Sequence, residues 1–121
     1  MQNDTLTYRL KRLYWSIGPE IREWNRSLIF SIPGKIGEFS RRKYAESHFG
    51  MCGKNIKLYP YIKIYSPQGL SVGDDVIIAD YVQISAGGGV VIGDRVGFGP
   101  FVKIWSINHR IDRTDIPIVE Q

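Results

Sequence analysis

Beyond residue 50, aliphatic residues recur at a fixed spacing of six. Val72, Ile78 and Ile84 form one such set, Ile92, Phe98 and Ile104 a second, and Leu58 and Ile64 part of a third. A second aliphatic follows four residues after the first two members of each complete set, at Val76 and Val82 and at Val96 and Val102. An amphipathic helix needs apolar residues three and four apart. A hairpin sheet needs alternation broken by irregular turns. A strict period of six suits a coil of three short flat faces, with the aliphatic that starts each face pointing inward.

The six-residue period sits inside a longer one. Residues 52–71, 72–91 and 92–111 align without a gap, twenty residues each. The second position is Gly53, Gly73 and Gly93, and the fifth Ile56, Val76 and Val96. The seventh is Leu58, Ile78 and Phe98, the tenth Tyr61, Tyr81 and Phe101. The eleventh is Ile62, Val82 and Val102, the thirteenth Ile64, Ile84 and Ile104. Such self-similarity is the signature of a repeat architecture. Each coil is then three hexapeptides plus a two-residue excess near Pro67-Gln68 and Gly87-Gly88, with Asp74, Asp75, Asp94 and Gly87-Gly88-Gly89 at corners or loops. The expected fold is mainly β, a parallel solenoid of about three coils over residues 51–121.

Residues 1–50 follow a different rule. Leu6, Leu10, Leu13, Tyr14 and Ile17 fall on one helical face, and Ile21, Trp24 and Leu28 continue at helical spacing. Gly18-Pro19 predicts a stop and restart, Pro33-Gly34 an end, and a short basic helix is expected over 38–48. This segment holds nine Lys/Arg and five Asp/Glu, whereas residues 51–121 hold seven of each, so the net charge of +4 belongs to the helical segment alone. The basic helices read as a cover for the end of the solenoid or a packing element between subunits. Peripheral contact with a membrane surface or an anionic substrate is the alternative.

Composition narrows the function classes. A hydrophobic content of 43% fits a folded domain, and one cysteine excludes an intrachain disulfide and a Cys-rich zinc site. Cys52 aligns with Val72 and Ile92 and reads as a small buried hydrophobe. No apolar run reaches transmembrane length and no signal-peptide pattern opens the chain, so cytoplasmic residence is expected. The neutral coils carry no recognition motif for nucleic acid. Gly87-Gly88-Gly89 lacks the following Lys-Ser/Thr of a phosphate loop and reads as a turn.

The Ile/Val-Gly-Asp-x-Val motifs at 72–76 and 92–96 resemble the hexapeptide-repeat acyltransferases. The resemblance implies a left-handed parallel β-helix, an exception to the usual right-handed crossover. By pattern the chain is most similar to sugar and polysaccharide O-acetyltransferases, which carry a short Asn-His loop followed by a Pro-Ile segment. Here these are Ile107-Asn108-His109 and Pro117-Ile118, within a loop region spanning 105–118. The resemblance implies acetyl-CoA as co-substrate with no permanently bound cofactor, a saccharide or other small-molecule acceptor, and a homotrimer with active sites between β-helices. Family members continue with further coils that build much of the acetyl-CoA groove. The chain therefore reads as an incomplete β-helix with little activity alone, or else as a short protein completed by its partners. The β-helical carbonic anhydrases need three histidines for zinc. His48 and His109 are the only two here, so no metal site is expected.

The residues of the loop give the chemistry its content. The repeat is regular through Ile104 and then breaks at a corner, where a solenoid tolerates a protrusion. Histidine is the side chain suited to exchanging a proton near neutral pH. Acetyl transfer to a hydroxyl needs a base, which is worth roughly 10²–10⁴-fold in rate. The resemblance assigns that role to His109, which deprotonates the acceptor for direct attack on the thioester. Asn108 hydrogen-bonds a sugar hydroxyl or holds the loop by an Asx turn. Asp112 orients the imidazole or is a solvated loop residue, and Trp105 stacks on a sugar ring or covers a corner. His48 reads as a helix-end residue. A non-catalytic structural or interaction module on the same coils is the competing reading.

Overall fold

The computed structural model describes residues 6–120; residues 1–5 and 121, which the expected helical and solenoid segments include, lie outside the described residues. Helix α1 spans Leu6–Ser31 and α2 spans Gly34–His48. The interruption expected at Gly18-Pro19 does not occur: α1 runs through it. Pro19 removes one N–H, the partner of the Trp15 carbonyl, but its fixed φ is helical. Trp15 is exposed, so water can take that carbonyl, and a Cβ at Gly18 would meet open space. The second helix begins four residues before the expected position 38, directly after Pro33, which is extended at its N-cap.

Nine short strands follow among the described residues: β1 Met51–Cys52, β2 Lys57–Leu58, β3 Lys63–Tyr65, β4 Leu70–Val72, β5 Ile77–Ile78, β6 Gln83–Ser85, β7 Val90–Ile92, β8 Gly97–Phe98 and β9 Lys103–Trp105. They form three parallel sheets, β1-β4-β7, β2-β5-β8 and β3-β6-β9. Every pairing is offset by twenty residues, as in Cys52↔Val72↔Ile92, Leu58↔Ile78↔Phe98 and Ile64↔Ile84↔Ile104. The chain thus visits each sheet once per twenty residues, an arrangement compatible with a parallel β-helix. The two-residue excess forms a 3-10 turn at Pro67–Gly69 in the first coil and a tight turn at Gly87–Gly89 in the second, where Gly89 N–H donates to the Ala86 carbonyl. The expectation of a mainly β chain is corrected, because strand makes up only 20%. Each face contributes two or three paired residues and the corners take the rest, while two helices precede the coils.

The six-residue columns are the core. Leu70, at the end of the first coil, and Val72, Val76, Ile78, Val82 and Ile84 of the middle coil are fully buried, sandwiched between coils on both sides. Twenty residues on, Ile92 is still buried, but Val90, Val96, Phe98, Val102 and Ile104 are only partly buried.

Two columns stitch one coil to the next. At the second position, a Cβ on Gly53 would lie 2.4 Å from the Gly73 carbonyl, and one on Gly73 would lie 2.3 Å from Asp94 Oδ1. Only glycine lets the coils approach this closely. Beside it, the Asp74 carboxylate accepts the Lys54 N–H and the Asp94 carboxylate accepts the Asp74 N–H, each at 2.7 Å. The aspartate of each motif therefore satisfies the backbone of the preceding coil.

The corners hold left-handed backbone at two further columns: Asn55, Asp75 and Arg95, and Tyr61, Tyr81 and Phe101, with φ between 54° and 63°. Asn and Asp tolerate this region; aromatics do not favour it. The aromatic column offsets its cost by stacking, with Tyr61–Tyr81 centroids 5.3 Å apart and Tyr81–Phe101 centroids 5.1 Å apart at near-parallel planes.

The helices cover the first coil. Arg41 is 2% exposed, its Nε donates to the Leu58 carbonyl (2.8 Å) and its Nη1 to the Ile32 carbonyl (2.6 Å). It passes over Gly37, where a Cβ would lie 1.8 Å from the Ile32 oxygen. Burial pushes the guanidinium pKa down, opposed by the nearby Glu38 carboxylate. Phe30 is buried against Tyr44, edge to face at 5.2 Å, and its carbonyl accepts the Tyr61 N–H. Removing Arg41 leaves the Leu58 and Ile32 carbonyls without their donor. Arg41→Ala is expected to lower stability by about 2–3 kcal/mol, read as a lower urea midpoint.

Candidate functional site

The regular coil ends in β9, and residues 106–117 carry neither helix nor strand before a 3-10 turn at Ile118–Glu120. The start of this loop is pinned. Ser106 N–H and Ser106 Oγ–H both donate to the Ser85 carbonyl (3.1 and 2.7 Å), and Ser106 Oγ accepts the Gly88 N–H (3.0 Å). Ile107 lies against Gly87, where a Cβ would fall 2.3 Å from its Cδ1, and the Ser106 carbonyl leaves no room for one on Gly88. The triple glycine is therefore the seat of the loop as well as a turn. In the twenty-residue repeat Ile107-Asn108-His109 falls where the preceding coil has Gly87-Gly88-Gly89, which is the sequence signal for this seat; the anchoring role of Ser106 has no signal of its own.

His109 follows three residues after the anchor and is exposed. Its backbone N–H donates to Oδ1 of Asn108 at 3.0 Å, which holds the peptide at the corner; among the described residues the Asn108 amide donors have no acceptor. Among the described residues nothing hydrogen-bonds the His109 imidazole. Asp112 does not reach it: its carboxylate is held by Arg110, at 3.1 Å from Nε and 2.7 Å from Nη2. The reason is local, since an arginine two residues away presents a two-pronged donor that matches a carboxylate. These bonds, with one from the residue's own backbone, hold the Asp112 carboxyl below its ordinary range. Arg113 and Asp115 repeat the arrangement, and the Asp115 carboxyl is lowered in the same way.

Trp105 ends β9 on the outward face of the third sheet and is 57% exposed. Small Ser85 separates it from Tyr65 in the sheet register, so the two rings meet at 6.0 Å, tilted by 55°. Together they make an aromatic surface beside the foot of the loop, and Tyr65 is a member the repeat pattern did not single out. Trp105 thus stands at the foot of the loop, Asn108 and His109 follow within it joined by one hydrogen bond, and Asp112 is turned toward Arg110.

The remaining candidates lie elsewhere. His48 closes α2, stacks on Tyr44 at 4.0 Å and contacts the Tyr44 carbonyl through Nδ1. Cys52 is half-buried against the core, and burial raises its thiol pKa, which disfavours the nucleophilic thiolate. No group of three His, Cys, Asp or Glu among the described residues could hold a metal ion. No helix among them is long and apolar enough to cross a membrane. No family model, no characterised protein and no solved structure matches the chain.

Proposed function

We propose that the protein is a left-handed β-helix O-acetyltransferase that moves the acetyl group of acetyl-CoA to a hydroxyl of a sugar or polysaccharide precursor, with His109 as general base. The observation that carries the reading is positional. Three twenty-residue coils keep register, and the pattern breaks once, after Ile104, where an anchored loop carries an exposed His109 four residues beyond an exposed Trp105.

The chemistry fits those residues. His109 takes the proton of the acceptor hydroxyl as its oxygen bonds to the acetyl carbonyl carbon. The thioester C–S bond breaks, and the imidazolium returns the proton to the departing CoA sulfur. No covalent enzyme intermediate forms. The Asn108 amide binds a neighbouring sugar hydroxyl, and the apolar face of the sugar lies on Trp105. Asp112 acts through Arg110, as a brace for the loop. Acetyl-CoA binds between neighbouring subunits of a trimer, in line with the family resemblance.

Labelled acetyl-CoA, the natural polypeptide and a panel of saccharide acceptors test the proposal. Acceptor-dependent transfer of label supports it; label that stays in acetyl-CoA with every sugar, sugar nucleotide and lipid-linked saccharide contradicts it. The exposure of His109 in the isolated subunit favours one other reading, a non-catalytic interaction module, and that second outcome is what it predicts.

A further inference from the structure

One side of α1 packs at its C-terminal end: Arg26 donates to the Ile64 carbonyl at 3.1 Å, Phe30 is buried, and Ile29 packs on the core, while Tyr8 and Trp15 farther up that side are exposed. The other side carries Leu6, Leu10, Leu13, Ile17, Ile21 and Trp24, all between 40% and 73% exposed. Their spacings of four, three, four, four and three residues average the helical repeat. The stripe therefore runs straight along the helix for about 27 Å without drifting round it. A coiled-coil seam drifts to a 3.5-residue repeat and favours a wound partner; a straight stripe matches a flat surface.

Charge identifies the surface. Residues 6–19 contain Arg9, Lys11 and Arg12 and no acidic residue. All three are exposed, and their long stems can carry the charges to the level of lipid phosphates while the stripe lies among acyl chains. The helix is too polar to cross a bilayer. We infer that α1 docks the protein flat on an anionic lipid surface over residues 6–24, with the stripe from Leu10 to Trp24 inserted and the coils held off the membrane. The inference stands apart from acyl transfer and survives if no acceptor is found.

The test is co-sedimentation of the full chain with vesicles of phosphatidylcholine, alone or mixed with phosphatidylglycerol. Binding is expected to the mixed vesicles and to weaken as salt is raised. Replacing Arg9, Lys11 and Arg12 together by glutamine is expected to lower that affinity about 100-fold. Leu10→Glu with Leu13→Glu is expected to lower it by at least about 100-fold. The five positions are exposed, so the circular dichroism unfolding midpoint should not move.

Orientation gives a second readout that needs no disruptive variant. With Trp15 and Trp105 changed to phenylalanine, the remaining Trp24 on the stripe should be quenched by lipids brominated on their acyl chains. With Trp24 and Trp105 changed instead, the remaining Trp15, half a turn away, should be largely spared. Absence of binding, equal binding to neutral vesicles, or equal quenching of the two tryptophans overturns the inference. So does a lipid-independent oligomer that the Leu10→Glu, Leu13→Glu variant dissociates, because the stripe is then an interface between copies.

Discussion

His109→Ala is expected to lower acetyl transfer by about 10²–10⁴-fold with no loss of fold, because the ring is exposed on an irregular loop and supports no packing. The loss should fall on turnover more than on acceptor KM, since a general base contributes in the transition state and little to ground-state binding. His109→Gln keeps the polarity and approximate size of the side chain but cannot cycle a proton, so it should fare no better. His48→Ala is the internal control: that ring stacks on Tyr44 at the far end of the molecule's helical cover, and its loss should leave the rate unchanged. A His109→Ala protein with near-normal turnover removes the base from the account.

Gly73→Ala is expected to destabilise the solenoid by about 1–3 kcal/mol, whereas Gly93→Ala, the same position one coil later, should stay within about 0.5 kcal/mol. The contrast comes from stacking. A methyl group at 73 would sit 2.3 Å from the Asp94 carboxylate and 2.9 Å from the Gly93 carbonyl carbon. These atoms belong to the next coil's backbone and to the carboxylate that caps the Asp74 N–H, so the methyl must either push the coils apart or break that 2.7 Å hydrogen bond. At 93 the same methyl meets nothing within 4 Å. Urea unfolding of the two variants of this chain measures the difference. Equal destabilisation would show that something also covers Gly93 in solution, such as the coil of a second subunit.

What could be read from sequence was what the period controls. Columns six residues apart located the buried aliphatics, and the twenty-residue repeat gave the register of all three sheets, because a parallel coil places residue i over residue i+20 by construction. The closeness at Gly53 and Gly73 follows from the same stacking. Misreadings arose where local preference and context disagree. Gly18-Pro19 has the composition of a helix end, yet nothing in the surroundings of an exposed helix forces the chain to leave it. Tyr61, Tyr81 and Phe101 occupy left-handed corners that no propensity would assign to aromatics; only their stacking makes the column tolerable.

The candidate site was legible as the place where the repeat breaks, and its contacts were not. The break after Ile104 located the loop, and its alignment with the triple glycine located the corner. Which groups meet was not legible. Asp112 was available to His109 in sequence, but Arg110 captures it through a shorter path with two donors. Arg41 reads as one more charge in a basic helix, and its burial between two carbonyls depends on Gly37 and on the return of the chain at Leu58. Ser106 is an ordinary polar residue until the preceding coil supplies Ser85 and Gly88.

The most direct test of the central claim is a rapid-quench experiment in which the natural polypeptide is mixed with acetyl-labelled acetyl-CoA and a saccharide acceptor, and label is followed on the acceptor, on the protein and in free CoA. Direct transfer through His109 predicts that free CoA and acetylated acceptor appear mole for mole, with no label held covalently by the protein at any time. Label accumulating on the protein before it reaches the acceptor, or CoA released without any acetylated hydroxyl, would contradict it.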